Sequence, residues 1–109
     1  MRKITLEVGA PKLEINGMVF PVLMNDAEIM AMVDGVRERC RNVDPTSAQK
    51  VLETARYLAD SIELVLGKGA VEKIANGAPV SVKRMVEWFG VITDNALAAQ
   101  FDKLVEDND

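Results

Sequence analysis

Histidine is absent from this chain of 109 residues, cysteine occurs once, and Phe, Trp and Tyr together make up only 5% of it. Without an imidazole there is no base for a Ser-His-Asp or Cys-His nucleophile system and no His-bearing zinc site. The lone Cys40 has no intrachain partner for a disulfide. Long apolar runs are missing too. The longest, Met18 to Met24, falls far short of the ~20 residues a membrane span requires. Met1-Arg2-Lys3 opens with the charge of a signal peptide, but Glu7 and Pro11 break any apolar stretch behind it. These absences lead to the expectation of a cytoplasmic protein with no cofactor, no metal and no membrane partner.

What is present is 49% apolar residues in a length that suits one domain. A chain of this size buries about two-thirds of its unfolded surface, so a core can form without staples. A single domain over 1–109 is expected. Residues 94 to 109 hold Asp94, Asp102, Glu106, Asp107 and Asp109 against Lys103, a net of −4 that equals the charge of the whole chain. The rest is neutral, with twelve charges of each sign. A neutral body with an acidic end lacks the positive footprint that holds nucleic-acid binders on phosphate, so no nucleic-acid partner is expected.

Along the chain, Lys3-Ile4-Thr5-Leu6-Glu7-Val8 alternates polar and apolar residues and predicts a strand with Ile4, Leu6 and Val8 on one face. Asn16-Gly17 can supply the two positive φ angles of a type I′ turn between paired strands, and Pro21 belongs at an outward or terminal position. Residues 1–23 therefore form a β-hairpin region. Helices fill 25–106. Asn25 with Glu28 forms a capping box, and Ile29, Met32, Val33, Val36, Cys40 and Val43 mark the buried stripe behind it. Asp44-Pro45 is read as the N-cap and first residue of a second helix, whose stripe runs through Val51, Leu52, Ala55, Leu58, Ile62 and Val65 to a stop at Gly67. A short helix over Ala70 to Ala75 ends in Asn76-Gly77-Ala78-Pro79, and Ser81 caps a last long helix with Val82, Met85, Val86, Phe89, Ile92, Ala96 and Leu104 inward. The acidic residues 107–109 are expected to fray.

Catalytic groups are sparse. Glu63, Glu72 and Glu87 are acids of the right type for proton transfer, but each falls on a helix face that solvent should cover. Gly67-Lys68-Gly69-Ala70 lacks the spacing of a phosphate-binding loop and reads as a helix stop followed by a helix start. Cys40 lies on an apolar stripe and is expected to behave as a small hydrophobe, although Arg39 and Arg41 flank it. Ala70 to Phe89 has the outline of a helix-turn-helix, with Lys83 and Arg84 placed to reach bases. Its connection over residues 76–80 is longer than the usual turn, and Glu87 and Asp94 would face phosphate. A small DNA-binding regulator is thus an alternative reading.

Partner binding has a different signature. At 100° per residue, Tyr57 and Leu64 lie about 160–180° from the centre of their helix stripe, Met30 lies about 100° from its own, and Trp88 and Val91 fall outside theirs. Met30, Tyr57, Leu64, Trp88 and Val91 are therefore candidate partner contacts, with Trp88 foremost because tryptophan is enriched among interface anchors. Filling a second core layer is the competing role for these side chains.

As a whole the chain resembles the small tail-assembly chaperones of long-tailed bacteriophages and prophages. The likeness is carried by Leu13-Glu14-Ile15-Asn16-Gly17-Met18-Val19-Phe20, by Leu66-Gly67-Lys68-Gly69-Ala70-Val71-Glu72-Lys73-Ile74 and by Val86-Glu87-Trp88-Phe89-Gly90-Val91-Ile92. The resemblance implies a non-enzymatic protein that keeps the tape measure protein soluble during tail assembly, and a frameshifted longer form that recruits the tail tube protein. A homo-oligomeric structural protein of a phage particle is a further alternative. The fold expected is α+β, an N-terminal β-hairpin or small antiparallel sheet packed on a bundle of about four helices. Its core is expected at Ile4, Leu6, Leu13, Ile15, Val33, Leu52, Ala55, Leu58, Ile62, Ile74, Val86, Phe89 and Ile92.

Overall fold

The fold is described from a computed structural model covering residues 1–6 and 9–107, the side chains of 102–107 excepted. Asn16 and Gly17 take φ of 52° and 80°, the left-handed pair that a type I′ turn needs, and they join β1 (Lys12–Ile15) to β2 (Met18–Pro21). The antiparallel register pairs Leu13 with Phe20 and Ile15 with Met18. Cross-strand partners share a face, so these four side chains point together toward the helices. Phe20 is buried, and Lys12, Glu14, Val19 and Pro21 look outward. Val22 N–H donates to the Pro11 carbonyl at 2.8 Å, and Leu23 N–H donates to the Val65 carbonyl at 2.7 Å, which ties the end of the hairpin to the helical body.

Four helices follow among the described residues: α1 (Asp26–Arg41), α2 (Ala48–Leu66), α3 (Ala70–Ala75) and α4 (Val82–Asp107). The fold is α+β, with a two-stranded N-terminal sheet against these helices. Asn25 forms the full capping box. Its side chain accepts from Glu28 N–H at 2.8 Å, and the Glu28 carboxylate accepts from Asn25 N–H at 3.1 Å. Exchange of Asn25 for Ala is expected to cost about 1 kcal/mol, measured as a lowered urea midpoint with unchanged slope. Gly67, at φ 108°, ends α2, and its N–H donates to the Glu63 carbonyl. Gly69 opens α3 and Asn76 closes it, both in the left-handed region, and Ser81 caps α4 by accepting Arg84 N–H at 3.1 Å.

The core lies between α2 and α4, the most extensively packed helix pair, with α1, α3 and the hairpin closing its sides. Ile29, Leu58, Ile62, Val65 and Ala96 are fully buried, joined by Phe20, Val22, Val36, Leu66, Ile74, Met85, Phe89 and Ile92. Each large side chain among them contributes ~1.5–3 kcal/mol of transfer free energy. Three buried hydroxyls fit because each is satisfied one turn back along its own helix. Thr54 donates to Lys50 O, Ser61 to Tyr57 O and Thr93 to Phe89 O, all at 2.8 Å.

Four expectations are corrected. Residues 3–6 form no strand, and Ile4 and Leu6 are 78% and 77% exposed; Val8 lies outside the described residues. Alternation makes a segment fit to pair, but a strand exists only where a partner edge supplies its hydrogen bonds, and no described strand pairs with residues 3–6. Leu52 is exposed because it lies about 120° round α2 from Leu58, where the buried sector is completed by Thr54 and Ser61 instead. Val86 is exposed because the inward stripe of α4 runs through Met85, Phe89, Ile92, Thr93 and Ala96, and Val86 sits about 100° off Met85. The second helix does not begin at Asp44-Pro45. The Asp44 carboxylate accepts both the Thr46 N–H (2.9 Å) and hydroxyl (2.7 Å), which holds a turn, and Ser47 then caps α2 through Lys50 N–H. The same two bonds hold the Asp44 carboxyl below its ordinary value.

Leu13, Ile15, Val33 and Ala55 are half-buried, at the margin of the core. The side chain of Leu104 lies outside the described residues.

Candidate partner-binding groove

Two features of the chain meet at one surface. The first is the outer edge of β1. Ile15 and Met18 flank a two-residue turn and so bond to each other, and alternation makes Leu13–Phe20 the next bonded pair. Lys12 and Glu14 therefore point their N–H and C=O groups away from β2, and no strand pairs with them among the described residues. Pro21, opposite Lys12, loses nothing by lacking an N–H at such a position.

The second feature is the flank of α4. Arg84, Trp88, Val91 and Asn95 recur at spacings of four, three and four, which aligns them on one strip beside the buried stripe. This strip faces β1 across a groove of about 540 Å³ walled by Leu13 and Ile15 on the hairpin side and by Trp88, Val91 and Ile92 on the other, with Ile74 contributed by α3. A smaller recess of about 320 Å³, lined by the end of α3, the α3–α4 connection and the start of α4, adjoins it at Trp88. Trp88 thus lines both hollows. Its ring is half-buried and Val91 is 62% exposed.

Polar groups border this apolar floor. Arg84 lies 3.9 Å from the Glu87 carboxylate, in a largely exposed pair worth well under about 1 kcal/mol. Asn95 spends its amide on the Val91 carbonyl at 2.7 Å. Glu14 has no ion-pair partner among the described residues. Such an arrangement can bind an apolar segment and offer main-chain hydrogen bonds along one side. Of the two carboxylates in its lining, Glu14 and Glu87, the second lies beside Arg84. Of the other acids considered, Glu63 accepts Gly69 N–H at 2.8 Å and so closes the α2–α3 turn, and Glu72 is exposed on α3. Among the described residues, no three His, Cys, Asp or Glu side chains come together as a metal site. No described helix is long and apolar enough to cross a membrane.

The candidate contacts separate. Trp88 and Val91 share the groove. Met30 and Leu64 are exposed at 57% and 61% on α1 and α2 and do not line it. Tyr57 is half-buried in the α1–α2 seam, where the Arg39 guanidinium sits 4.4 Å over its ring and its hydroxyl approaches Gly35. Lys83 and Arg84 are exposed in the first turn of α4. Leu13, Ile15, Ile74, Ile92 and the open edge of β1 were not singled out by sequence reasoning as contacts. The signal that could have found part of this surface is the strip through Arg84, Trp88, Val91 and Asn95, a second helical periodicity beside the main one.

Cys40 packs half-buried against the core. Burial pushes its thiol above the ordinary 9.0, and the charge of Arg39 offsets part of that rise. A raised folded-state value means that the associated stability is complete below the unfolded pKa and is lost as pH rises through the folded one. Alkylation by iodoacetamide should therefore reach its half-maximal rate at higher pH in the folded chain than in urea. Coincident midpoints would remove burial as the cause.

Comparison of the chain with family models, with curated proteins and with solved structures finds no match.

Proposed function

We propose that this protein is a non-enzymatic chaperone that covers an apolar segment of a partner chain, and that the partner is the tape measure protein of a long-tailed phage or prophage. The observation that carries the binding reading is the groove itself, an apolar channel with the chain's only tryptophan in its wall and an exposed valine one turn further on. Trp88 and Val91 are fit to seat the apolar face of an amphipathic helix, and Met30 and Leu64 add exposed apolar surface on α1 and α2. The phage assignment rests on the resemblance of the sequence to tail-assembly chaperones. In that setting a longer frameshifted form recruits the tail tube protein.

Co-expression with the tape measure protein of the same gene cluster tests the proposal. The soluble fraction of that protein should rise severalfold when this chain is present, and the two should co-purify. An unchanged soluble fraction would reject the tape measure protein as client.

A further inference from the structure

We propose that residues 1–6 of one copy of this protein add as an antiparallel strand to the open edge of β1 in a second copy, setting Ile4 and Leu6 into the groove between β1 and α4. The exchange is reciprocal and makes a two-fold dimer.

Four observations lead to it. The arm alternates Lys3-Ile4-Thr5-Leu6, a strand pattern, yet Ile4 and Leu6 are left 78% and 77% exposed. Two large apolar side chains at period two, both in water, form one side of an interface. The open edge of β1 is the other side. Its outward groups belong to Lys12 and Glu14, while Leu13 and Ile15 face the groove. A strand that hydrogen-bonds to Glu14 through Thr5 places Thr5 on the face of Glu14, and Ile4 and Leu6 fall by alternation on the face of Leu13 and Ile15. The parity of the arm thus matches the parity of the edge. Charge agrees at one position, because Lys3 falls by the same alternation on the face of Glu14, which has no ion-pair partner among the described residues.

The geometry selects a second copy over the chain's own groove. Ala10 precedes Pro11 and is held extended by the proline ring. Residues 9–11 carry neither turn nor bend, and the Pro11 carbonyl is already bonded to Val22 N–H in line with the hairpin ladder. Residues 1–6 accordingly form no strand against that edge within their own chain, where Ile4 and Leu6 stay exposed. An arm of six extended residues spans about 20 Å, enough to lie along the whole of a four-residue strand in a neighbour. This inference does not depend on the identity of the client; where both hold, client and second copy compete for one groove.

Sedimentation equilibrium on the chain alone, without any client, from ~1 to ~100 µM is the test. The wild type should approach twice the monomer mass. The double variant Ile4→Asp/Leu6→Asp should weaken association at least tenfold and red-shift the emission of Trp88. Thr5→Pro, which keeps both apolar side chains but removes the arm's N–H, should weaken it comparably. Both changes lie outside the packed body, so helicity by circular dichroism should be unaltered. The proposal is overturned by a wild type that stays monomeric over the whole range, or by a dimer indifferent to the double variant. Sensitivity to the double variant with indifference to Thr5→Pro would overturn strand addition. A monomer whose Trp88 emission still shifts with the double variant would place the arm in its own groove and overturn the exchange.

Discussion

Leu58→Ala is expected to lower the unfolding free energy by about 3 kcal/mol, while Leu52→Ala on the same helix lowers it by less than about 1 kcal/mol. Leu58 is 0% exposed and Leu52 is 53% exposed, although both are leucines on the apolar side of α2 as the sequence presents it. Removing three carbons from Leu58 leaves a cavity among Ile62, Val65 and the other core side chains of the α2–α4 contact, whose backbones cannot close over it fully. At Leu52 the lost atoms were largely in water already. For a domain whose whole stability is on the order of 5–15 kcal/mol, the first change moves the urea midpoint by a large fraction and the second barely moves it. Equal shifts in the two variants would mean that the buried sector of α2 is centred elsewhere than on Leu58.

Val91→Asp should reduce client binding at least tenfold and leave the fold intact. Val91 is 62% exposed on the groove wall, so an aspartate there meets water in the free protein and costs the domain little. Once an apolar segment covers the groove, the same carboxylate must be desolvated without a partner, since the nearest cation in the strip, Arg84, is already engaged with Glu87. Loss of a central anchor contact typically costs more than about 1 kcal/mol, and a buried unpaired charge adds to that. The readout is the soluble yield of the co-expressed client together with the urea midpoint of the variant alone. A client held as well as by the wild type would remove the groove from the binding surface. Leu6→Asp separates this effect from dimer exchange, because Leu6 lies on the arm and not on the groove wall.

Much of the architecture follows from local chemistry that needs no distant partner. The Asn16-Gly17 turn, the Asn25–Glu28 capping box, the stop at Gly67, the αL residue Asn76 and the Ser81 cap each act within a few residues of their own position. For that reason the hairpin and the four helices could be placed from the residues alone. The same holds for Pro21, whose missing N–H dictates an outward place on β2.

What only the tertiary structure decided is which of several equivalent apolar positions went inside. Period 3.6 draws a stripe on a helix but does not say where its neighbour lies. Thr54 and Ser61 could be buried because their hydroxyls bond back to Lys50 and Tyr57, and that freed Leu52 to remain in water. Trp88 and Val91 could be marked as lying off the main stripe of α4, but the hairpin alone supplied the opposing wall that makes them a groove. The alternation of Lys3 to Leu6 shows the same division. Pairing capacity is written in a strand's own residues, whereas the strand itself exists only when another edge supplies its hydrogen bonds, and that edge is a property of the assembled fold.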